Sequence, residues 1–489
     1  PGGIKETTPE KLSEKKPSEA LKLAVKENSA KSKKVNLLTK ATKYANEDPQ
    51  VLTDGALGGS SFYSNWLGFV DNDMDAIIDL GEEKMIKNIK DKNSLSNMSE
   101  NMGKNNNIVG WDEYTRSYGG REIRTINPTI QSGSTVLFEH FEDMQLALEG
   151  EYPGVDYGTH GLSTQKAFEE AMCEIENGHA SYAFPSGISA ITNTLMAFTK
   201  SGDEILLCDN VYGPTARFCH KILTKYNVKI THIESNIGAE ISHYINENTR
   251  LIFLESPGSN TFEIQDISAI VKIAKKEGII SIIDNSWATP LFLKPLDLGI
   301  DISIQSVTKY ICGHSDVLMG CSTVNEKYAA EFAEYFHTVE NYANPQDCYQ
   351  ALRGLRTLKV RLEAHQKSAY EVARWLESQE IVDSVIHPGL ESHPQHNLWK
   401  RDFTGASGLF AFTFKDSYST ETIALFANSL KMFGFGFSWG GFKSLLTARP
   451  YKRDGKWVHD GKHLVRLSIG LEDTDDLIAD LKNSFTKLQ

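Results

Sequence analysis

This chain has little that would tie it to a membrane, a nucleic acid or an oxidising compartment. No apolar run approaches the roughly 20 residues that span a bilayer. Positive charge is in deficit, with 51 Lys and Arg against 64 Asp and Glu and a formal net charge of -13. That removes the electrostatic footprint of a general nucleic-acid binder. Cysteine is scarce: Cys173, Cys208, Cys219, Cys312, Cys321 and Cys348 form no CxxC pair and no Cys/His cluster. They read as buried reduced thiols rather than disulfides or zinc ligands, as expected in the cytoplasm, and Cys312 reads as a small apolar filler. The opening Pro1-Gly2-Gly3-Ile4-Lys5-Glu6 lacks the apolar core of a signal peptide. Pro1 in place of methionine is expected where a sequence starts inside its protein.

At 489 residues and 54.5 kDa, two or three domains are expected. Residues 1–109 read as an extension. Pro1 to about Pro49 is rich in Lys, Glu, Ser and Ala, has little to bury and suits a loose helix only around Ser18–Glu27. Asp91–Asn107, dense in Asn, Ser and Lys, reads as a linker. Between them, Val51–Gly55, Ser64–Phe69 and Asp75–Gly81 carry short strand patterns and turn glycines. This segment resembles the opening strands of discoidin-type carbohydrate-binding modules, where Trp66 suits either stacking on a sugar or a place in a core.

From about Gly110 helical and strand patterns alternate to the end. Residues 110–164 read as an arm leading into a larger domain (165–365) and then a smaller one (366–489). Ala180–Phe184, Glu204–Cys208, Val228–Ile233, Leu251–Leu254 and Ile279–Ile283 are strand-like, several of them continuously apolar. Gly187–Thr199, Thr215–Tyr226 and Ile267–Glu277 are helical between them. Strands apolar on both faces and separated by helices predict an α/β domain with a mostly parallel sheet. One long helix is expected over Gly354–Gln379, followed by strands such as Leu409–Phe414 in a smaller α/β domain.

The chemistry gathers at predicted strand ends. Lys309 follows the strand-like Ser303–Gln305, and Asp284 ends Ile282-Ile283-Asp284. Most lysines are surface groups. Here an amine and a carboxylate on neighbouring strand ends suit pyridoxal phosphate (PLP), the lysine as its Schiff-base partner and the aspartate holding the pyridine nitrogen protonated. Pro185-Ser186-Gly187-Ile188 joins a strand to a helix, so unpaired N–H groups there suit either a phosphate or an ordinary capped start. Ser306 and Thr308 add hydroxyls beside Lys309. Tyr212, at a turn after a strand, suits a ring stacked on the cofactor or a core aromatic. Arg466 interrupts the apolar Leu464–Ile469 and so needs a partner, either a substrate carboxylate or a structural ion pair.

Together these motifs carry a resemblance. Ser306-Val307-Thr308-Lys309-Tyr310 with Gly313-His314-Ser315-Asp316, Ile283–Trp287, Leu254–Ser259, Trp399–Gly405, Ser438–Gly441 and Arg466–Asp473 resemble the Cys/Met-metabolism PLP-dependent enzymes. Within that family they are most similar to the bacterial cystathionine β-lyase branch. The resemblance runs from about Tyr114 to the C-terminus. It implies PLP fold type I (aspartate-aminotransferase-like), PLP as cofactor and a homotetramer of catalytic dimers. It implies Lys309 as Schiff-base lysine and proton carrier, Asp284 on the pyridine nitrogen and Tyr212 on the ring. Gly187, Ile188, Ser306 and Thr308 would hold the phosphate, and Tyr157 would reach the neighbouring subunit's site. Arg466 would bind the substrate α-carboxylate, with Ser438 and Trp439 shaping the pocket.

The implied reaction is β-elimination of cystathionine to homocysteine, pyruvate and ammonia. Trp439 favours it, because γ-acting relatives often have a smaller aliphatic residue there. γ-Elimination, γ-replacement, cysteine desulfhydration and racemisation use the same residues, and a non-catalytic binding protein on this fold is the remaining alternative. Two positions depart from the family. Thr159, in Tyr157-Gly158-Thr159-His160, stands where an arginine usually crosses to the cofactor phosphate. Lys443 stands where relatives often carry a glutamate.

Overall fold

A computed structural model of the chain describes residues 35–37, 44–45, 67–68, 76–78, 114–118, 121–415, 417–453, 459 and 461–488. The chain divides into two compact units, Pro1–Lys104 with Arg116–Glu122, and Asn105–Thr115 with Ile123–Gln489. In the first, Val35–Leu37 pairs antiparallel with Ala76–Ile78, and Tyr44–Ala45 with Leu67–Gly68. The helix expected around Ser18–Glu27, the linker Asp91–Asn107 and Trp66 lie outside the described residues. Among the described residues, no helix is long and apolar enough to cross a membrane.

The second unit holds two sheets. The larger has seven strands: β1 Ala180–Phe184, β2 Glu204–Cys208, β3 Lys229–Ile233, β4 Thr249–Glu255, β5 Ile280–Asp284, β6 Ile302–Gln305 and β7 Gly320–Val324. Their order is β1-β7-β6-β5-β4-β2-β3, and only β7 runs against the others. Every residue of β2, β5, β6 and β7 is buried, as expected of strands covered on both faces. The crossover helix Ile267–Glu277 shows how its sequence fits the layer. Asp266 caps its start by accepting from the Ala269 N–H, and Gly278 ends it in the left-handed region. Ile267, Ile270, Val271 and Ala274, at helical spacing, form the buried face.

The smaller sheet comprises β8 Val382–Ile386, β9 Leu409–Phe414, β10 Gly434–Phe435, β11 Leu445–Pro450 and β12 His463–Ser468. Its order is β8-β9-β12-β11-β10, antiparallel except for β10 with β11. Phe410, Phe412, Phe414 and Phe426 are its largest buried side chains, packed with the helices Leu358–Glu377, Thr420–Ser429 and Thr474–Phe485.

The single helix expected over Gly354–Gln379 is two, Pro345–Arg356 and Leu358–Glu377. The physical reason is local. The Gly354 carbonyl accepts from the Thr357 hydroxyl at 3.2 Å and from Arg361 Nη2 at 2.7 Å, and these compete with the helical bond. Gly354 also lies against the Ile311 carbonyl, where a Cβ would stand only 2.3 Å away. The break therefore seats the helix pair on the turn that follows Lys309.

One buried acid links the fold to pH. Glu176 Oε1 accepts from Ser303 Oγ at 3.0 Å and Gln305 Nε2 at 2.7 Å, both on β6. Oε2 has no partner among the described residues. Burial pushes this carboxyl up to about 7 from 4.5, against the hydrogen bonds from β6. The folded chain therefore holds the proton more tightly than the unfolded one, and stability falls as pH rises from 4.5 towards 7. A shift of this size corresponds to about 3 kcal/mol. Glu176→Gln is expected to raise the melting temperature at pH 8 and to change it little at pH 5. An equal change at both pH values would contradict the assignment.

Candidate active site

Parallel strands deliver their carboxyl ends to one edge of the larger sheet, and the charged groups sit there. Asp284 ends β5 and Glu255 ends β4, and the two are paired in register. Beyond the end of β6, the chain makes a tight turn carrying Lys309, whose N–H donates to the Ser306 carbonyl at 3.0 Å. The buried Arg361 grips this turn from below, donating to the carbonyls of Tyr310 at 2.6 Å and Ile311 at 3.0 Å. Gly440 presses on it from the other side. Its φ is +82°, and a Cβ there would stand 2.8 Å from Tyr310 N, so only glycine fits.

Lys309 Nζ donates to Ser438 Oγ at 2.8 Å and lies 5.2 Å from the centre of the Trp439 ring. Burial, helped by the Arg466 charge and opposed by Asp284, brings its amine down to about 8 from 10.5. Arg466 itself is held by neutral groups. Nη1 donates to Asn260 Oδ1 at 3.2 Å and Nη2 to the Phe437 carbonyl at 2.9 Å. The structural ion pair considered for it does not form among the described residues. Burial first, then Arg449, lowers it to about 10, so it stays charged near neutrality. It is a guanidinium without a carboxylate.

Asp284 is the complementary case, a buried carboxylate whose hydrogen bonds come from one neighbour. Ser286 donates to Oδ1 through its N–H at 3.0 Å and its hydroxyl at 2.6 Å. Burial raises the Asp284 carboxyl, and Ser286 and Lys309 only partly offset it. A cation arriving here would be bound strongly. The same Ser286 hydroxyl accepts from the Ser306 N–H at 2.6 Å, so one side chain ties the Asp284 strand to the Lys309 turn.

A group of hydrogen-bond donors suited to an anion lies next to it. The helix Gly187–Ala197 is capped by Ser186, which accepts from the Ser189 N–H. The Gly187 and Ile188 N–H groups make no hydrogen bond among the described residues. Ser306 Oγ stands so near that a Cβ on Gly187 would be 2.5 Å from it. Two free N–H groups, a helix N-terminus and a hydroxyl are the donor set a phosphate requires.

The structure thus brings together Lys309, Asp284, Ser438, Trp439 and Arg466, with Gly187, Ile188 and Ser306 as the donor group. Tyr212 starts the helix Gly213–Lys221, and burial, followed by the charge of Asp284, raises its hydroxyl. The Thr308 hydroxyl is taken by Met319, donating to its carbonyl at 3.1 Å and accepting from its N–H at 2.9 Å. Tyr157 is 44 % exposed, forms a bridge to Thr135 and accepts at its carbonyl from the His160 N–H at 3.1 Å. Thr159 donates to Glu340 at 2.9 Å, and His160 binds Asp156 at 2.6 Å. Sequence reasoning missed Ser286, Glu255, Asn260 and Arg361. Glu255 alone carried a usable signal: like Asp284, it is a carboxylate closing an apolar strand.

Residues 115–486 match the family model described as Cys/Met metabolism PLP-dependent enzyme. The cystathionine beta-lyase MetC of Escherichia coli is 39% identical over 75% of this chain and 95% of its own. The L-alanine/L-glutamate racemase of Wolbachia pipientis is 38% identical over 74% of this chain and 93% of its own. The crystal structure of metB from Corynebacterium glutamicum, 29% identical, superposes with a TM-score of 0.71 over 78% of this chain and 97% of that one. The chain therefore belongs to the Cys/Met metabolism PLP-dependent enzyme family, with PLP as its cofactor and the type I fold that the two sheets display.

Proposed function

We propose that this protein is a carbon–sulfur β-lyase acting on cystathionine to give homocysteine, pyruvate and ammonia. The observation that carries the reading is the lysine amine held by Ser438 beside Trp439, near a guanidinium that has no carboxylate partner among the described residues. The residues fit PLP. Gly187, Ile188 and Ser306 would hold its phosphate, and Asp284 its protonated ring nitrogen. Tyr212 would lie on the ring, and Thr308 would join the cradle only by giving up Met319. PLP, when bound, supplies an aldehyde for the substrate amine and a ring that withdraws electrons from the α-carbon.

The chain's own groups do the rest. Arg466 orients the substrate through its α-carboxylate, as a planar fork suits two parallel hydrogen bonds. Lys309 Nζ takes the α-proton, and an amine whose affinity for protons is lowered to about 8 serves as a base near neutrality. Ser438 aims it. The carbon–sulfur bond at the β-carbon then breaks, the thiolate leaves and takes a proton, and water hydrolyses the remaining enamine to pyruvate and ammonia. Trp439 supports the β-outcome by filling the space beside Lys309. Lys443, the other departure, lies 3.7 Å from Glu472, which offsets its charge. The second reading is racemisation, supported by the Wolbachia relative. It returns the proton to the α-carbon and yields no keto acid, whereas γ-elimination yields 2-oxobutyrate.

The assembly is read as a homotetramer of catalytic dimers, with the exposed Tyr157 meeting a neighbouring subunit's cofactor. The compartment is read as the cytoplasm, in keeping with six free cysteines, and the pathway as methionine biosynthesis.

Three outcomes are expected. The purified enzyme with PLP releases pyruvate from cystathionine, and Lys309→Ala abolishes it. 2-Oxobutyrate or a D-amino acid as the product would replace the β-lyase reading. In protein stripped of cofactor, the rate of PLP capture by Lys309 rises about tenfold from pH 7 to 9 and levels off, because the neutral amine dominates above about 8. A rate still climbing at pH 10 would show an unshifted lysine. Thr159→Arg restores a charge-assisted contact and tightens PLP binding about tenfold. An unchanged dissociation constant would show that another cation already serves the phosphate.

A further inference from the structure

Glu255 is a second carboxyl in the site, and the mechanism above leaves it without a task. It closes β4 in register with Asp284 at the end of β5. Neighbouring parallel strands stand about 4.8 Å apart, and paired residues face the same side. Two negative charges so placed repel, so only one is stable as an anion. Each carboxyl accepts two hydrogen bonds, and Asp284 is the member faced by the Lys309 charge. Burial and the Asp284 charge push the Glu255 carboxyl well above the ordinary range.

Its acceptor is nonetheless in use. Glu255 Oε2 accepts from the Tyr212 N–H at 2.6 Å, and Ser259 hydrogen-bonds to the same carboxyl. Tyr212 is also held at its carbonyl, which accepts from the Thr215 N–H at 2.9 Å and the Ala216 N–H at 3.3 Å where the helix begins. It is 44 % exposed, precedes Gly213 and Pro214, and makes no side-chain hydrogen bond among the described residues. The position of its ring is set by its backbone, and Glu255 grips that backbone directly. We propose that Glu255 is a positioning residue: it fixes Tyr212 over the cofactor through the tyrosine's amide, while leaving the negative charge of the strand-end pair to Asp284. This rests on the reading of Tyr212 as the ring-stacking residue.

The test compares Glu255→Ala, Glu255→Gln, Tyr212→Phe and Tyr212→Ala in the PLP-loaded enzyme, singly and with Glu255→Ala combined with Tyr212→Ala. Amide hydrogen exchange at Tyr212 reads the contact without activity. It is expected to quicken about tenfold or more in Glu255→Ala, the loss of one hydrogen bond, and to stay slow in Glu255→Gln, which keeps a neutral acceptor. Turnover is expected to fall about tenfold in Glu255→Ala and to recover in Glu255→Gln, and Glu255→Ala should add little once Tyr212 is alanine. Unchanged exchange in Glu255→Ala, or a glutamine variant as slow in turnover as the alanine one, would overturn the proposal. If exchange quickens while Tyr212→Phe and Tyr212→Ala both turn over like the parent, the contact stands and the role given to Tyr212 falls.

Discussion

The site depends on a buried negative charge that the Lys309 amine only partly balances. Asp284 sits at the end of a fully buried strand, where an unpaired carboxylate is costly, and Ser286 relieves that cost only in part. The carboxylate is therefore kept ready for a cation that is not part of the chain, and the protonated ring nitrogen of PLP is one. The same Ser286 hydroxyl receives the Ser306 N–H, so on the proposed reading one small side chain would set the places of both the ring and the phosphate. That coupling fixes the spacing between the Asp284 strand end and the Lys309 turn.

Lys309 is governed by opposing forces. Burial and Arg466 make the amine easier to deprotonate, and Asp284 works against them. The smaller sheet contributes Arg466 from β12, and the segment before β11 contributes Ser438 and Trp439. The larger sheet contributes Asp284 and the turn bearing Lys309. The chemistry thus requires both sheets, and the packing that joins them is correspondingly tight. Gly440 and Gly354 let neighbouring segments touch the Lys309 turn, and Arg361 hydrogen-bonds its carbonyls. These residues have no chemical part to play. They remove the freedom that a long lysine side chain would otherwise have at its root.

Much of this was legible in the sequence because strand ends are legible. Near-continuous apolar runs marked β4 and β5, and Asp284 and Lys309 were found by asking what closes or follows a strand. The helix Ile267–Glu277 was read residue for residue from its spacing. What escaped depends on register and on distant contacts. Glu255 matters because it stands opposite Asp284, which follows from strand pairing and not from either strand alone. Arg361 lies more than fifty residues from the turn it holds. The break at Thr357 arises from a side chain competing for a carbonyl within an otherwise helical pattern. Thr308 was read as a phosphate ligand from its place beside Lys309, yet its hydroxyl is engaged by Met319. The chain's own arm leaves Tyr157 without a partner among the residues of the site, a relation that one protomer's sequence cannot express.

The central claim is a covalent link between the Lys309 amine and the PLP aldehyde. Borohydride reduction of the PLP-loaded protein, followed by proteolysis and mass spectrometry of the peptides, tests it most directly. The account predicts a single phosphopyridoxyl group on the peptide that contains Lys309. The same group on another lysine, or no modified peptide from a protein saturated with PLP, would contradict it.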